Sequence, residues 1–120
     1  MYQHVNHGTM VTILEEARVP FLTEPFAGDF DTIGLLIAEV RVVYKGQLRL
    51  ADSPLQVTIW VKRLRAMDFT LGYDVRSVLA DPDSKPAVIA QTQLAAFHIS
   101  EQRLVRLAPH HREYLKRFQR

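Results

Sequence analysis

The chain has 120 residues, 48% hydrophobic and 23% charged, with a formal net charge of +2, which suits one folded domain and excludes a disordered chain. It has no cysteine, so a disulfide framework and a Cys-ligated metal are excluded, and no basic stripe interleaved with aromatics argues for nucleic acid. No apolar run approaches the roughly 20 residues that span a bilayer and no basic-then-apolar leader opens the chain, so a cytoplasmic protein without a membrane partner is expected.

The first element is a helix from His7 to about Leu22. Asn6 is a good N-cap, and Met10, Val11, Leu14, Ala17, Val19 and Phe21 give an apolar face broad enough to bury most of the helix. Pro20 limits the regularity of its end. After the loop "TEPFAGDFD" the period changes to two. "LLIAEVRVVY" places Ala38, Val40, Val42 and Tyr44 opposite Glu39 and Arg41, and "LQVTIWVKRLR" sets Val57, Ile59 and Val61 against Thr58, Trp60 and Lys62. "FTLGYDVRSV" and "PAVIAQTQLAAFHIS" complete four long antiparallel strands. A tight hairpin near Arg65 to Met67 joins the second to the third, and the turn "DPDSKP" joins the third to the fourth. "APHHREYLKRF" reads as a short C-terminal helix with Pro109 in its first turn.

This order gives an α+β domain over residues 1–120, with a long helix wrapped by a curved antiparallel sheet. Four strands make a thin wrapping, so a fifth, N-terminal strand is expected ahead of residue 1.

With that order in hand, "QHVNHGTMVTILEEAR" resembles the hotdog-fold acyl-CoA thioesterases, the 4-hydroxybenzoyl-CoA thioesterase-like family. In them Asp-x-x-(Gly/Gln)-His-Val-Asn-Asn leads into a helix ending in Glu-Glu-Ala-Arg. "VRVVYKGQLRLADSPLQVTIWVKRLRAMDFTLGYDV" is similar to the strands that follow, including Tyr44 and Lys45. The resemblance covers Tyr2 to about Leu107. It implies a hotdog fold, homodimers or homotetramers with active sites between subunits, and hydrolysis of acyl-CoA or acyl-carrier-protein thioesters without a further cofactor. The family's Asp aligns just before Met1, so the resemblance implies an overlooked upstream start or a shortened relative.

Thioester hydrolysis needs a polarised carbonyl and an activated nucleophile. A helix N-terminus offers free N–H groups and the positive end of its dipole, so the amides of His7 and Gly8 are the oxyanion candidates, with Gly8 also open to a packing explanation. His4 matches the family's His beside the carbonyl, and Asn6 serves as cap and substrate-side group. A second branch of the family carries its acid on the helix, eight residues after a Gly, which is Glu16 here. Glu16 stands about 12 Å from Gly8 along the helix, so it could act only on a thioester held by a partner subunit. The bland alternative for Glu15 and Glu16 is a solvated helix end, or one paired with Arg18.

Relatives among plant acyl-carrier-protein thioesterases use an Asn where this chain has Tyr2 and a Glu where it has Gln47, and an amide is no base. Lys62, Arg63 and Arg65 cluster at a hairpin and are the candidates for the phosphates of coenzyme A, with Arg103 and Arg106 weaker ones. Trp60, Tyr73 and His98 read as structural. His110 and His111 have no acid or His at ligand spacing, so no metal is expected. The competing function is a non-catalytic hotdog module that binds an acyl chain or a protein; a hotdog hydratase lacks its usual His context here.

Overall fold

The computed structural model describes residues 5–49, 52 and 54–120. Helix α1 runs from His7 to Phe26, longer than expected, and contains both Pro20 and Pro25. Proline has no N–H and frees the carbonyl four residues earlier. For Pro25 that carbonyl belongs to Phe21, and the Tyr114 hydroxyl donates to it at 2.7 Å. A side chain from the far end of the sequence therefore replaces the missing helical bond.

The strands are β1 (Ile33–Tyr44), β2 (Leu55–Leu64), β3 (Asp68–Ser77), β4 (Val88–His98) and a two-residue β5 (Arg103–Leu104); helix α2 spans Pro109–Lys116. All pairings between strands are antiparallel, in the order β1-β4-β3-β2, with β5 on the end of β4. The hairpin closes at Arg65, whose amide donates to Asp68 O at 2.8 Å. Short β5 escaped the sequence reading because two residues carry no period; Gln102 ahead of it turns the chain with φ 56° and no glycine.

Alternation sorts the sheet into two faces. Phe69, Leu71, Tyr73 and Val75 of β3 and Val88, Ala90 and Leu94 of β4 are buried against Met10, Leu14, Leu22 and Phe26 of α1. Phe26 is fully buried, stacked on Phe69 and on His111; burying such a ring contributes about 1.5–3 kcal/mol. The outer face carries Glu39, Arg41, Trp60, Lys62, Thr70, Gly72, Gln91 and Gln93. The helix is not buried over most of its length as expected. Its buried stripe is Met10, Leu14, Arg18, Leu22 and Phe26, while Glu15, Glu16, Val19 and Thr23 are exposed. Apolar residues off the stripe, Val19 above all, had widened the apparent face.

The two edges of the sheet differ. β2 is guarded at Val61 by the C-terminal tail: Val61 N donates to Phe118 O and Arg120 N donates to Val61 O. β1 is open and exposes Leu36, Ile37, Val40, Val43 and Tyr44.

Candidate active site at the entrance of the long helix

The first turn of an α-helix leaves N–H groups that the helix cannot satisfy. Here Asn6 adopts an extended conformation and its Oδ1 accepts from Thr9 N at 2.9 Å, while Met10 N donates to Asn6 O. The amides of His7 and Gly8 have no acceptor among the described residues. They are the pair named from sequence, and the cap that isolates them is Asn6.

Gly8 is not required by packing against the described residues. A Cβ built on it would meet Asn6 Oδ1 at 3.5 Å, an ordinary contact. What the glycine preserves is open access to the two amides from outside. Tyr44, at the end of β1, holds the His7 ring: its hydroxyl lies 2.8 Å from His7 Nδ1. Partial burial raises the Tyr44 pKa above its ordinary value, so the phenol stays protonated at neutral pH. It donates to His7 whenever the neutral imidazole carries its proton on Nε2. Beside them lies a recess of about 140 Å³ lined by Val5, Met10, Tyr44, Gly46, Gln47, Leu48 and Val88.

None of those lining residues is a carboxylate, and Gln47 stands where a base would be useful. Neither helix acid reaches the amides of its own helix, since seven and eight residues are about 10 and 12 Å of rise. The two acids also point differently. Seven residues are nearly two full turns, so Glu15 lies on the same side of α1 as Gly8, and Glu16 is rotated away. Glu15 lines an apolar groove of about 280 Å³ between α1 and β1, with Val19, Leu22, Phe30, Leu35, Ile37 and Leu94. Glu16 is exposed and is not among the residues that line this groove. Neither acid pairs with Arg18 within the described residues. The Gly-plus-eight spacing points to Glu16; the side of the helix shared with Gly8, and the groove, make Glu15 a second candidate.

His4 and Tyr2 lie outside the described residues. Of the three basic candidates, Arg65 pairs with Asp68 at 3.0 Å, while Lys62 and Arg63 line one groove on the outer face, away from α1, where Lys62 donates to the neutral Gln91 at 2.8 Å. Arg103 pairs with Glu101. His98 holds the turn after β4, accepting from Glu101 N, and Tyr73 is fully buried core.

A second cluster was invisible in sequence. Asp29 Oδ2 lies 2.7 Å from His111 Nε2 and 3.2 Å from His110 Nε2, across more than 80 residues of chain. The three ligand atoms lie within 4.8 Å of one another. His111 Nδ1 accepts from Ala108 N at 3.2 Å, which places the proton of the neutral ring on Nε2, pointing at Asp29. A metal on Nε2 would force that proton onto Nδ1, against the Ala108 N–H. The donor set therefore suits a clamp between α2 and the loop after α1 better than a metal centre. Its two imidazoles, His111 foremost, hold the Asp29 carboxyl below its ordinary pKa.

A long helix against a curled antiparallel sheet, its leading amides bare, defines the hotdog class. The sequence matches the profile of the Thioesterase-like superfamily over residues 1–115, and the chain belongs to that family. Solved structures with the same fold include the probable thioesterase YbaW from Escherichia coli, with a TM-score of 0.82 and 22% identity over 98% of this chain and 88% of that one. The dynemicin thioesterase aligns with a TM-score of 0.83 and 15% identity, covering 98% of this chain and 86% of that one. A gentisyl-coenzyme A thioesterase, BH1999, aligns at 0.76 with 17% identity, covering 94% and 87%. Among curated protein sequences none matches the chain.

Proposed function

We propose that the chain hydrolyses acyl-CoA thioesters at a site completed by a second copy of itself. The observation that carries this reading is the pair of amides at His7 and Gly8 that have no acceptor among the described residues, left open by the Asn6 cap and by the absence of a Cβ. The thioester carbonyl oxygen accepts from them, and they strengthen their hold as negative charge develops on that oxygen. Water attacks the carbonyl carbon and gives its proton to a carboxylate; the C–S bond breaks and the thiolate leaves, taking up a proton. His4 keeps its place beside the carbonyl in this scheme.

The carboxylate comes from the partner's copy of the helix, and Glu15 suits that role by its orientation. Support for the second copy is the edge of β1, a row of unpaired backbone groups flanked by exposed Leu36, Ile37, Val40 and Val43. A two-fold pairing of that edge with itself covers it and sets two α1 helices side by side. Complementation tests the arrangement. Gly8→Ala and Glu15→Gln are each expected to lose most turnover against a panel of acyl-CoAs. Mixing the two refolded variants should restore roughly a quarter of the wild-type rate, because half of the mixed dimers' sites are intact. Dimeric variants that show no recovery on mixing count against a shared site.

The alternative is a non-catalytic acyl- or protein-binding module, favoured by the lack of any carboxylate lining the recess beside the amides. Saturable binding of acyl-CoA by the wild-type chain without turnover would establish it.

A further inference from the structure

We propose that the outer face of the sheet, opposite α1, binds a small molecule carrying two or more phosphate groups. The site begins with two β-bulges. β1 shifts register between Ile37 and Glu39, and β2 shifts between Val61 and Arg63. One cross-strand row, Glu39–Gln93–Thr70–Arg63, joins the two irregularities across the sheet. Bulges re-aim side chains. The one in β2 lets Lys62 and Arg63, consecutive in sequence, line the same groove.

The floor beside the bulges is paved by an indole. Gly72 has no side chain, and Trp60 lies over it so closely that a Cβ there would stand 2.6 Å from the ring. Alongside it Lys62 reaches Gln91. Two adjoining hollows of about 240 and 460 Å³ share Arg41, Lys62 and Gln91, with Lys45 in one and Arg63 in the other. The larger falls within the size range of small-molecule sites.

The charges are uneven. Four cations, Arg41, Lys45, Lys62 and Arg63, face one carboxylate, Glu39, which already accepts from Gln91 Nε2 at 3.3 Å. Elsewhere four arginines are held: Arg65 by Asp68, Arg103 by Glu101, Arg76 by the carbonyls of Pro82 and Ser84, and Arg112 by Arg65 O. Arg41, Lys45 and Arg63 have no such partner among the described residues. Guanidinium forks match phosphate bidentately, and one phosphate cannot serve four cations spread over two hollows. A second copy packed face to face here would oppose like charges, so the occupant is a polyanion rather than this chain.

The site stands apart from the hydrolase reading, because it lies on the other face and is assayed by binding rather than turnover. Trp60, the single tryptophan, borders the groove and reports on it. The whole chain is titrated with coenzyme A, ADP and inorganic pyrophosphate, following Trp60 fluorescence and calorimetric heat. Saturable binding that weakens with added salt is expected. Arg41→Gln combined with Arg63→Gln should weaken it at least about tenfold, while Lys116→Gln, in the last turn of α2, leaves it unchanged. Coenzyme A binding more tightly than ADP identifies the thiol carrier as the source of the phosphates; equal affinity identifies nucleotides in general. No saturable binding of any of the three probes overturns the proposal, and so does binding that the double variant leaves intact.

Discussion

The two ends of α1 follow opposite rules. At the C-terminal end several groups are claimed: Tyr114 takes the carbonyl that Pro25 frees, Ala27 N closes on Thr23 O, and Asp29 just beyond is gripped by two imidazoles. Phe26 is sealed between Phe69 and His111. At the N-terminal end a good cap satisfies Thr9 and leaves the amides of His7 and Gly8 without an acceptor among the described residues, where Gly8 makes no close packing contact. Folded proteins satisfy their backbone polar groups wherever water is excluded. His7 and Gly8 are exposed, so water serves their amides until a ligand replaces it, and under the proposed reading that ligand is the thioester carbonyl.

The sharpest way to break this contrast is Gly8→Ala. Alanine is the better helix former by up to about 1 kcal/mol, and its Cβ meets nothing closer than 3.5 Å. Thermal stability should hold or rise. Turnover of acyl-CoA should fall about a hundredfold, the scale of losing an oxyanion donor. A variant with full turnover would show that nothing approaches those amides, and the open end would lose its meaning.

At the closed end the largest expected loss is in stability. Tyr114→Phe keeps the ring that packs on Phe21 and Phe118 but removes the donor to Phe21 O. Leaving that carbonyl unpaired in a part-buried site costs about 1–3 kcal/mol, read as a lower denaturant midpoint with unchanged slope. A midpoint equal to wild type would mean that water replaces Tyr114 and that the proline is tolerated without help.

The open end was legible in sequence and the closed end was not, for a physical reason. Asn6, His7 and Gly8 are neighbours in the chain, and cap, amides and absent side chain are local features that a short string encodes. The alternation of β1 to β4 is equally local, and their bounds fall within a few residues of the expected ones. Tyr114 to Phe21 and Asp29 to His111 are contacts across 93 and 82 residues, which no periodicity announces. A signal existed for the first: two prolines inside an apolar helix require outside donors. Arg41 and Lys45 were passed over because alternation assigns a face but does not show that bulges in two edge strands bring their cations together.

A smaller effect is expected at the guarded edge. Removing residues 118–120 deletes the carbonyl and amide that bracket Val61, along with the Arg120 guanidinium 4.6 Å from the Trp60 ring. The β2 edge is then free to pair with other chains. Soluble yield should fall and concentration-dependent association should appear in sedimentation. An unchanged sedimentation profile would show that the tail is not what protects the edge.

The smallest effect concerns the clamp. The imidazole N–H groups of His111 and His110 lower the Asp29 pKa in the folded chain. A carboxyl with a depressed folded pKa contributes stability that is fully present above its unfolded value, about 3.9, and is lost as pH falls through the folded value. The Asp29 side chain is a third exposed, so solvent screening keeps this contribution below about 1 kcal/mol. Asp29→Asn should therefore be slightly less stable than wild type near pH 6, with the gap closing as pH falls below the unfolded value and through the lower folded one. A gap that keeps its size over that range would show that the loss comes from the altered hydrogen-bond geometry around buried His111, with the carboxylate charge playing no part.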